Sequence, residues 1–240
     1  MAIIMMRLDK YLADMGVGTR AEVKKLIRQG QITVDGAVVK LPEMKIDIEH
    51  SQVACKGKPI DYETFEYYML NKPAGVISAT TDSKDKTVLD LIDTKKRKDL
   101  FPVGRLDKDT EGLLLITNDG EMAHRLLAPK KHVDKVYYAK IEGVVTEEDQ
   151  RAFAEGVSLG GDEMAKPAEL EILVSDEISE IRLTIQEGKF HQVKRMVHYV
   201  GNEVVFLKRV GFGPLNLDED LKPGEYRELT EEEISLLGGQ

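Results

Sequence analysis

Past residue 66 the chain is patterned for strands more often than for helices, and the two do not alternate regularly. Tyr67-Tyr-Met-Leu70, Leu113-Leu-Leu-Ile116, Val136-Tyr-Tyr-Ala-Lys-Ile141, Leu170-Glu-Ile-Leu-Val174 and Ile181-Arg-Leu-Thr-Ile185 all read as strands. Helical spacing is confined to a stretch through Met122, Leu126 and Leu127 and to Val193, Met196, Val197 and Val200, ended by Gly201. Regular strand–helix alternation would call for a parallel sheet. This pattern instead predicts an α+β fold, with a mixed, largely antiparallel β-sheet and flanking helices over residues 67–240.

The N-terminal quarter follows a different rule. Leu8, Tyr11, Leu12 and Met15 give one apolar helical face, stopped by Gly16 and Gly18. Thr19-Arg-Ala-Glu22 then reads as a capping box for a second helix that buries Val23, Leu26 and Ile27. Arg20, Lys24 and Arg28 recur every four residues, with Lys25 beside them, and so form a basic stripe suited to phosphate contact. After Gly30, Ile32-Thr-Val34 and Ala37-Val-Val39 flank Asp35-Gly36, a strong hairpin signal. These elements predict a small helical and hairpin domain over residues 1–58. Residues 59–66, from a stretch mixing Gly, Pro and charge, read as a linker.

The 240-residue chain is 42% hydrophobic and 32% charged, which places it with globular proteins rather than disordered ones. No apolar run approaches the ~20 residues that span a bilayer. The opening Met-Ala-Ile-Ile-Met-Met is too short for the apolar core of a signal peptide. A lone cysteine, Cys55, fits a reducing cytoplasm. A net charge of −9 argues against a nucleic-acid partner only if the charge is spread evenly. Residues 1–58 hold ten Lys/Arg against seven Asp/Glu, a balance of +3, and the remainder carries −12. Within it, residues 188–213 contain Lys189, Lys194, Arg195, Lys208 and Arg209 against Glu203 alone, whereas residues 214–240 have eight acids and two bases. The expectation is basic patches on an acidic body.

Candidate chemistry is sparse. Asp107-Lys-Asp109-Thr-Glu111-Gly112 suggests the start of a calcium loop, but the twelfth position, which needs a bidentate Glu, is Asn118. The five histidines are scattered and have only Cys55 to help them, so no zinc spacing exists. No phosphate-binding glycine loop is present. His191 and His198 stand two turns apart with no acid paired nearby in sequence. What remains is Asp107 in a turn beside Arg105, and a helix start carrying Lys194 and Arg195. On these residues alone, an Asp in a turn is more often a local cap than a catalyst.

Longer motifs carry more. Arg7-Leu-Asp-Lys10-Tyr-Leu, Arg20-Ala-Glu-Val-Lys24-Lys25-Leu-Ile-Arg28, Gly30 and Val34-Asp-Gly36 resemble the S4 RNA-binding domain, with residues 1–5 an extension ahead of it. Gly104-Arg-Leu-Asp-Lys-Asp-Thr-Glu-Gly-Leu-Leu-Leu-Ile-Thr117 resembles the central motif of pseudouridine synthases. Leu70-Asn-Lys-Pro-Ala-Gly75, Lys135-Val-Tyr137-Tyr-Ala139 and Glu187-Gly-Lys-Phe-His-Gln-Val-Lys-Arg-Met196 resemble the other three, in family order. The likeness is strongest to the branch that modifies one uridine of small-subunit (16S) ribosomal RNA. It implies an isomerase that needs no cofactor and no metal, acting on naked rRNA or an assembly intermediate. Nothing in the sequence demands more than a monomer, and its hydropathy points away from membranes.

The same resemblance implies residue roles. Asp107 is the catalytic aspartate, either attacking the ribose or removing a sugar proton. Lys194 is its basic partner, and Tyr137 stacks on the target base while Tyr138 points to the opposite face. Arg105 enters the space that the base vacates. Gly104, Thr110 and Gly112 shape the turn. Arg7, Lys10, Arg20, Lys24, Lys25 and Arg28 contact RNA; four phosphate contacts would give a slope of log K on log salt of about −3. The competing readings are a non-catalytic S4-type assembly factor and a synthase acting on 23S rRNA.

Overall fold

A computed structural model describes residues 4–238, and the chain divides into two compact units. The first comprises residues up to Glu66 together with Thr94–Leu100; the second comprises Tyr67–Asp93 and the rest of the chain from Phe101. Residues 1–3 of the expected extension lie outside the described residues, while Met5 is already in a strand.

In the first unit, β1 (Met5–Arg7) pairs antiparallel with β4 (Lys45–Asp47). Helices α1 (Leu8–Asp14) and α2 (Arg20–Arg28) follow β1, and α2 opens with the expected capping box between Thr19 and Glu22. A four-stranded sheet in the order β3-β2-β5-β6 completes it, from β2 (Ile32–Val34), β3 (Ala37–Val38), β5 (Val53–Cys55) and β6 (Lys58–Ile60). Asp35 and Gly36, at φ +51° and +81°, make the two-residue turn of the β2–β3 hairpin. Leu8, Tyr11, Leu12, Val23, Ile27, Ile32, Ile46 and Val53 form its buried core. Residues 59–66 are not a free linker. Pro59 and Ile60 belong to β6, Tyr11 donates a 2.6 Å hydrogen bond to the Ile60 carbonyl, and the Tyr62 ring lies 4.9 Å from that of Tyr11. Glu66 accepts from the backbone amides of Lys96 and Arg97, which draws Thr94–Leu100 into this unit. Composition marked 59–66 as polar, but its aromatic and backbone groups find partners.

The second unit is built on one sheet in the order β13-β14-β10-β15-β9-β7-β17. Its strands are β7 (Tyr67–Lys72), β9 (Glu111–Thr117), β10 (Lys135–Glu142), β13 (Glu169–Val174), β14 (Ile178–Ile185), β15 (Glu203–Phe212) and β17 (Tyr226–Glu228). Short β8 (Phe101–Pro102) joins β9, and β16 (Leu215–Asn216) joins β15. Every pairing is antiparallel except that of β15 with β9. The mixed, largely antiparallel sheet is thus as expected. The helices are α3 (Gly120–Leu127), α4 (Glu147–Glu155), α5 (Gln192–Tyr199) and α6 (Glu231–Leu236); β11 (Ser158–Gly160) and β12 (Glu163–Met164) form a separate ribbon. Leu113 to Ile116 of β9 are wholly buried at the heart of this unit. None of the described helices is long and apolar enough to cross a membrane.

Candidate active site

The loop before β9 is tied down from below. Lys72, at the end of β7, pairs in register with Gly112 of β9, which brings its side chain under the residues that precede that strand. Its ammonium donates to the carbonyls of Thr110 (2.8 Å), Pro73 (3.0 Å) and Lys108 (3.3 Å). Burial lowers its pKa to about 8, against the opposing pull of Asp109, Asp107 and Glu111. Above it, the Thr110 amide donates to the Asp107 carbonyl (3.1 Å), and Ser78 Oγ donates to the Leu106 carbonyl while accepting from the Leu106 amide. The turn that carries Asp107 is therefore fixed by side chains as well as by its own backbone.

Asp107, Arg105, Thr110, Tyr137, His191 and Lys194 line one narrow cleft of about 60 Å³, room for a few water molecules. The Asp107 side chain is 31% exposed, and its one ion-pair partner among the described residues is His191, with Nε2 at 3.7 Å from Oδ1. Lys194, the partner that the family resemblance suggested, shares the cleft but holds Asp109 instead, with Nζ at 2.7 Å from both carboxylate oxygens. That pair holds the Asp109 carboxyl below the usual range. The aspartate two residues on intercepts the lysine. The αL conformation of His191 (φ +48°), just ahead of α5, supplies the imidazole at Asp107. His191 meets its acid through the fold, whereas the expectation for His198 was wrong: Glu203, only five residues on, lies 2.9 Å from its Nδ1.

Strand alternation turns Tyr137 into the cleft, where it is 8% exposed, and sends Tyr138 to the other face, against Phe206. Burial and the Glu180 carboxylate raise the Tyr138 hydroxyl to about 12. Behind Tyr137 stands Arg209 of β15, its register partner, near enough for the phenol to act on the guanidinium electrostatically. Arg209 Nε also donates to the Leu113 carbonyl (2.8 Å), and the guanidinium sits 4.8 Å from the Phe212 ring centroid. It is 2% exposed, and burial pushes its pKa below the ordinary arginine value. Two buried polar atoms at this site have no partner among the described residues: Arg209 Nη2 and Thr110 Oγ1, the latter on a residue lining the cleft. Arg105 is exposed at the cleft and forms no ion pair among the described residues.

The basic stretch 188–213 is not a surface patch. Arg209 is interior, Lys194 is neutralised by Asp109, Arg195 pairs with Glu163 (2.6 Å), and Lys189 contacts Glu187 and the Met164 carbonyl. The stripe on the first unit also thins. Arg7 grips buried Asp9 with two hydrogen bonds, Lys10 pairs with Asp14, and Lys24 is 3.8 Å from Asp9. Arg20, Lys25 and Arg28 remain exposed without an ion pair among the described residues. Sequence reasoning assigned no role to Lys72, Arg209 or the His191–Asp107 pairing. The available signal for Lys72 was a lysine ending a strand directly before proline.

Comparison with known proteins bears on this geometry. A family described as RNA pseudouridylate synthase matches residues 66–199, the span that holds every residue lining the cleft but Leu207, and an S4 domain matches residues 6–53. The chain belongs to the RNA pseudouridylate synthase family. This synthase is 51% identical, over 97% of its length and 98% of the relative's, to an uncharacterized RNA pseudouridine synthase of Bacillus subtilis. It is 44% identical to the ribosomal small subunit pseudouridine synthase A of Escherichia coli, over 96% of this chain and 99% of that one. A crystal structure of a pseudouridylate synthase superposes with a TM-score of 0.68 at 40% identity, covering 97% of this chain and 99% of the other. The enzyme is therefore an isomerase of RNA uridine, with an RNA-binding S4 domain at its N-terminus.

Proposed function

We propose that this synthase converts one uridine of small-subunit (16S) ribosomal RNA to pseudouridine, as a monomer in the cytoplasm. The observation that carries the target class is 44% identity, over nearly the full length of both chains, to a small-subunit synthase. The isomerisation breaks the N1–C1′ bond, turns the uracil, joins C5 to C1′, and moves the C5 proton off the ring while N1 gains one. In this reading Asp107 begins the reaction, by attack at the ribose or by removal of a sugar proton. Its carboxylate is suited to that task, being at the cleft and partly exposed, with only an imidazole near enough to compete for it.

Tyr137 stacks on the detached base. Its register partner on β15 is Arg209, and base–aromatic stacking of roughly 1–3 kcal/mol is comparable to the few kcal/mol needed to flip a base. Arg105, exposed and unpaired, fills the gap left in the RNA. Lys194 acts at one remove, by holding Asp109 and so the outer side of the Asp107 turn. The S4 domain holds the surrounding RNA through Arg20, Lys25 and Arg28. Arg7, Lys10 and Lys24 contribute less, because Asp9 and Asp14 already engage them.

The test is to incubate the protein with undermodified small-subunit rRNA, and separately with assembly intermediates, and to map pseudouridine. One position should be modified, and Asp107→Asn should abolish product while RNA affinity stays within about twofold. Continued turnover by that variant would overturn the assignment of Asp107. Product only in large-subunit rRNA would overturn the target class.

A further inference from the structure

Phe190 is 74% exposed, more than any other large hydrophobic side chain described. It is not a loose side chain. Its backbone carbonyl accepts from Arg195 Nη1 (3.1 Å), the Lys189 amide donates to Gln192 Oε1 (3.0 Å), and the Gln192 amide donates to the Lys189 carbonyl. Glu187, at the loop's other end, accepts from the Lys166 amide and from Gln192 Nε2. One face of the ring lies on the His191 imidazole, with centroids 3.8 Å apart and planes 19° from parallel. With that face covered and the residue still 74% exposed, the open surface is the other face. Nε2 of the same imidazole lies 3.7 Å from Asp107 Oδ1.

An aromatic face left bare forgoes the stabilisation that burying a Phe brings. Here it is held still, among the polar groups of Lys189, His191 and Gln192 rather than within a broad apolar patch of the kind that docks a protein. A fixed, flat, solvent-facing ring in polar surroundings suits a nucleobase, because every base has a face to stack and polar edges to keep wet. Its place suits the same ligand, since His191 lines the cleft and Phe190 covers the outer side of His191. We propose that Phe190, seated on His191, is a stacking platform for the base of a nucleotide flanking the target uridine.

This rests on the reading that the cleft takes that uridine, and the test separates the two. Steady-state kinetics of the full-length protein, Phe190→Ala and Phe190→Tyr are measured on a synthetic rRNA hairpin centred on the mapped uridine. The same hairpin is made with an abasic nucleotide on the 5′ side or on the 3′ side of the target. On the intact hairpin, Phe190→Ala should raise KM by about 5- to 150-fold, the range that base–aromatic stacking supplies, with kcat within about twofold. Phe190→Tyr should restore KM. On one of the two abasic hairpins the parent should fall to the level of Phe190→Ala, and the variant should lose nothing further. An unchanged KM, or a loss that is the same on all three hairpins, would overturn the platform alone. A fall in kcat at constant KM would overturn it in favour of a ring that only positions His191. No product from the parent on the hairpins, nor on assembly intermediates carrying the same RNA, would overturn the functional reading, and the platform with it.

Discussion

Replacing Gly112 by alanine should damage this enzyme more than a left-handed glycine normally warrants. Gly112 of β9 faces Arg209 of β15 at one of only two residue pairs, with Glu111↔Lys208, that join the halves of the sheet in parallel. Its φ is +102°, and an added Cβ would stand 2.2 Å from the Arg209 carbonyl oxygen and 2.7 Å from its amide nitrogen. Both are backbone atoms that cannot rotate away, so the strands must part by about 1 Å to reach ordinary contact. The unfavourable backbone conformation costs about 1–3 kcal/mol and the overpacking about 1–3 more, for a total of roughly 2–6 kcal/mol. Gly75→Ala separates the two effects, since Gly75 has φ +85° and nothing within 4 Å of the added atom. Urea unfolding followed by near-UV circular dichroism of tyrosine suits the measurement. The chain has no Trp, and of its eight tyrosines only Tyr11 and Tyr62 lie in the first unit. Gly112→Ala should be less stable than Gly75→Ala by about 1–3 kcal/mol. In the folded variant kcat should also fall about 100-fold, because the displaced strands carry the Asp107 turn and the support of Tyr137. Equal stability of the two variants would refute the steric argument.

Two further outcomes follow from the charges. Arg227 holds Glu233 with two 2.8 Å hydrogen bonds and brings the Glu233 pKa to about 2 from 4.5. The stabilisation is complete above about pH 4.5 and is lost as pH falls toward 2; after solvent screening it is worth about 1 kcal/mol, and Glu233→Gln should remove that part of the acid-unfolding slope. On the S4 domain, replacing Arg20, Lys25 and Arg28 together by Gln should reduce the slope of log K on log salt by about 2, read by filter binding at varied KCl. A further loss of about 0.7 on adding Lys24→Gln would mean that RNA also draws Lys24 away from Asp9.

The parts of the molecule visible in the sequence are those whose determinants are local. The capping box at Thr19, the hairpin turn at Asp35-Gly36 and the alternation that sends Tyr137 and Tyr138 to opposite faces each depend on a few consecutive residues. β15 was hidden because Lys208-Arg209 interrupts its apolar pattern and reads as a surface patch. Arg209 is tolerable inside because the Leu113 carbonyl and the Phe212 ring meet it there, and the first comes from another strand. The motif around Lys194 located the cleft, but the lysine's actual partner, Asp109, depends on a competition between two carboxylates two residues apart that no spacing decides.

That competition alters the account of how an acidic protein of net charge −9 holds RNA. If residues 188–213 were a basic patch, phosphate attraction at the cleft would be strong and indifferent to sequence. In the fold, Lys189, Lys194 and Arg195 are engaged by carboxylates and Arg209 is interior, which leaves Arg105 as the unpaired cation among the residues lining the cleft that were singled out for RNA. In the proposed reading, affinity at the cleft then comes from stacking of the target base on Tyr137 and of a flanking base on Phe190, with the Thr110 hydroxyl, unpartnered among the described residues, as a further hydrogen-bonding group. Such contacts need a base already turned out of its helix. On the proposed reading, a cleft so built rejects paired RNA that a basic surface would hold, and so selects for a uridine whose neighbours let it leave the stack.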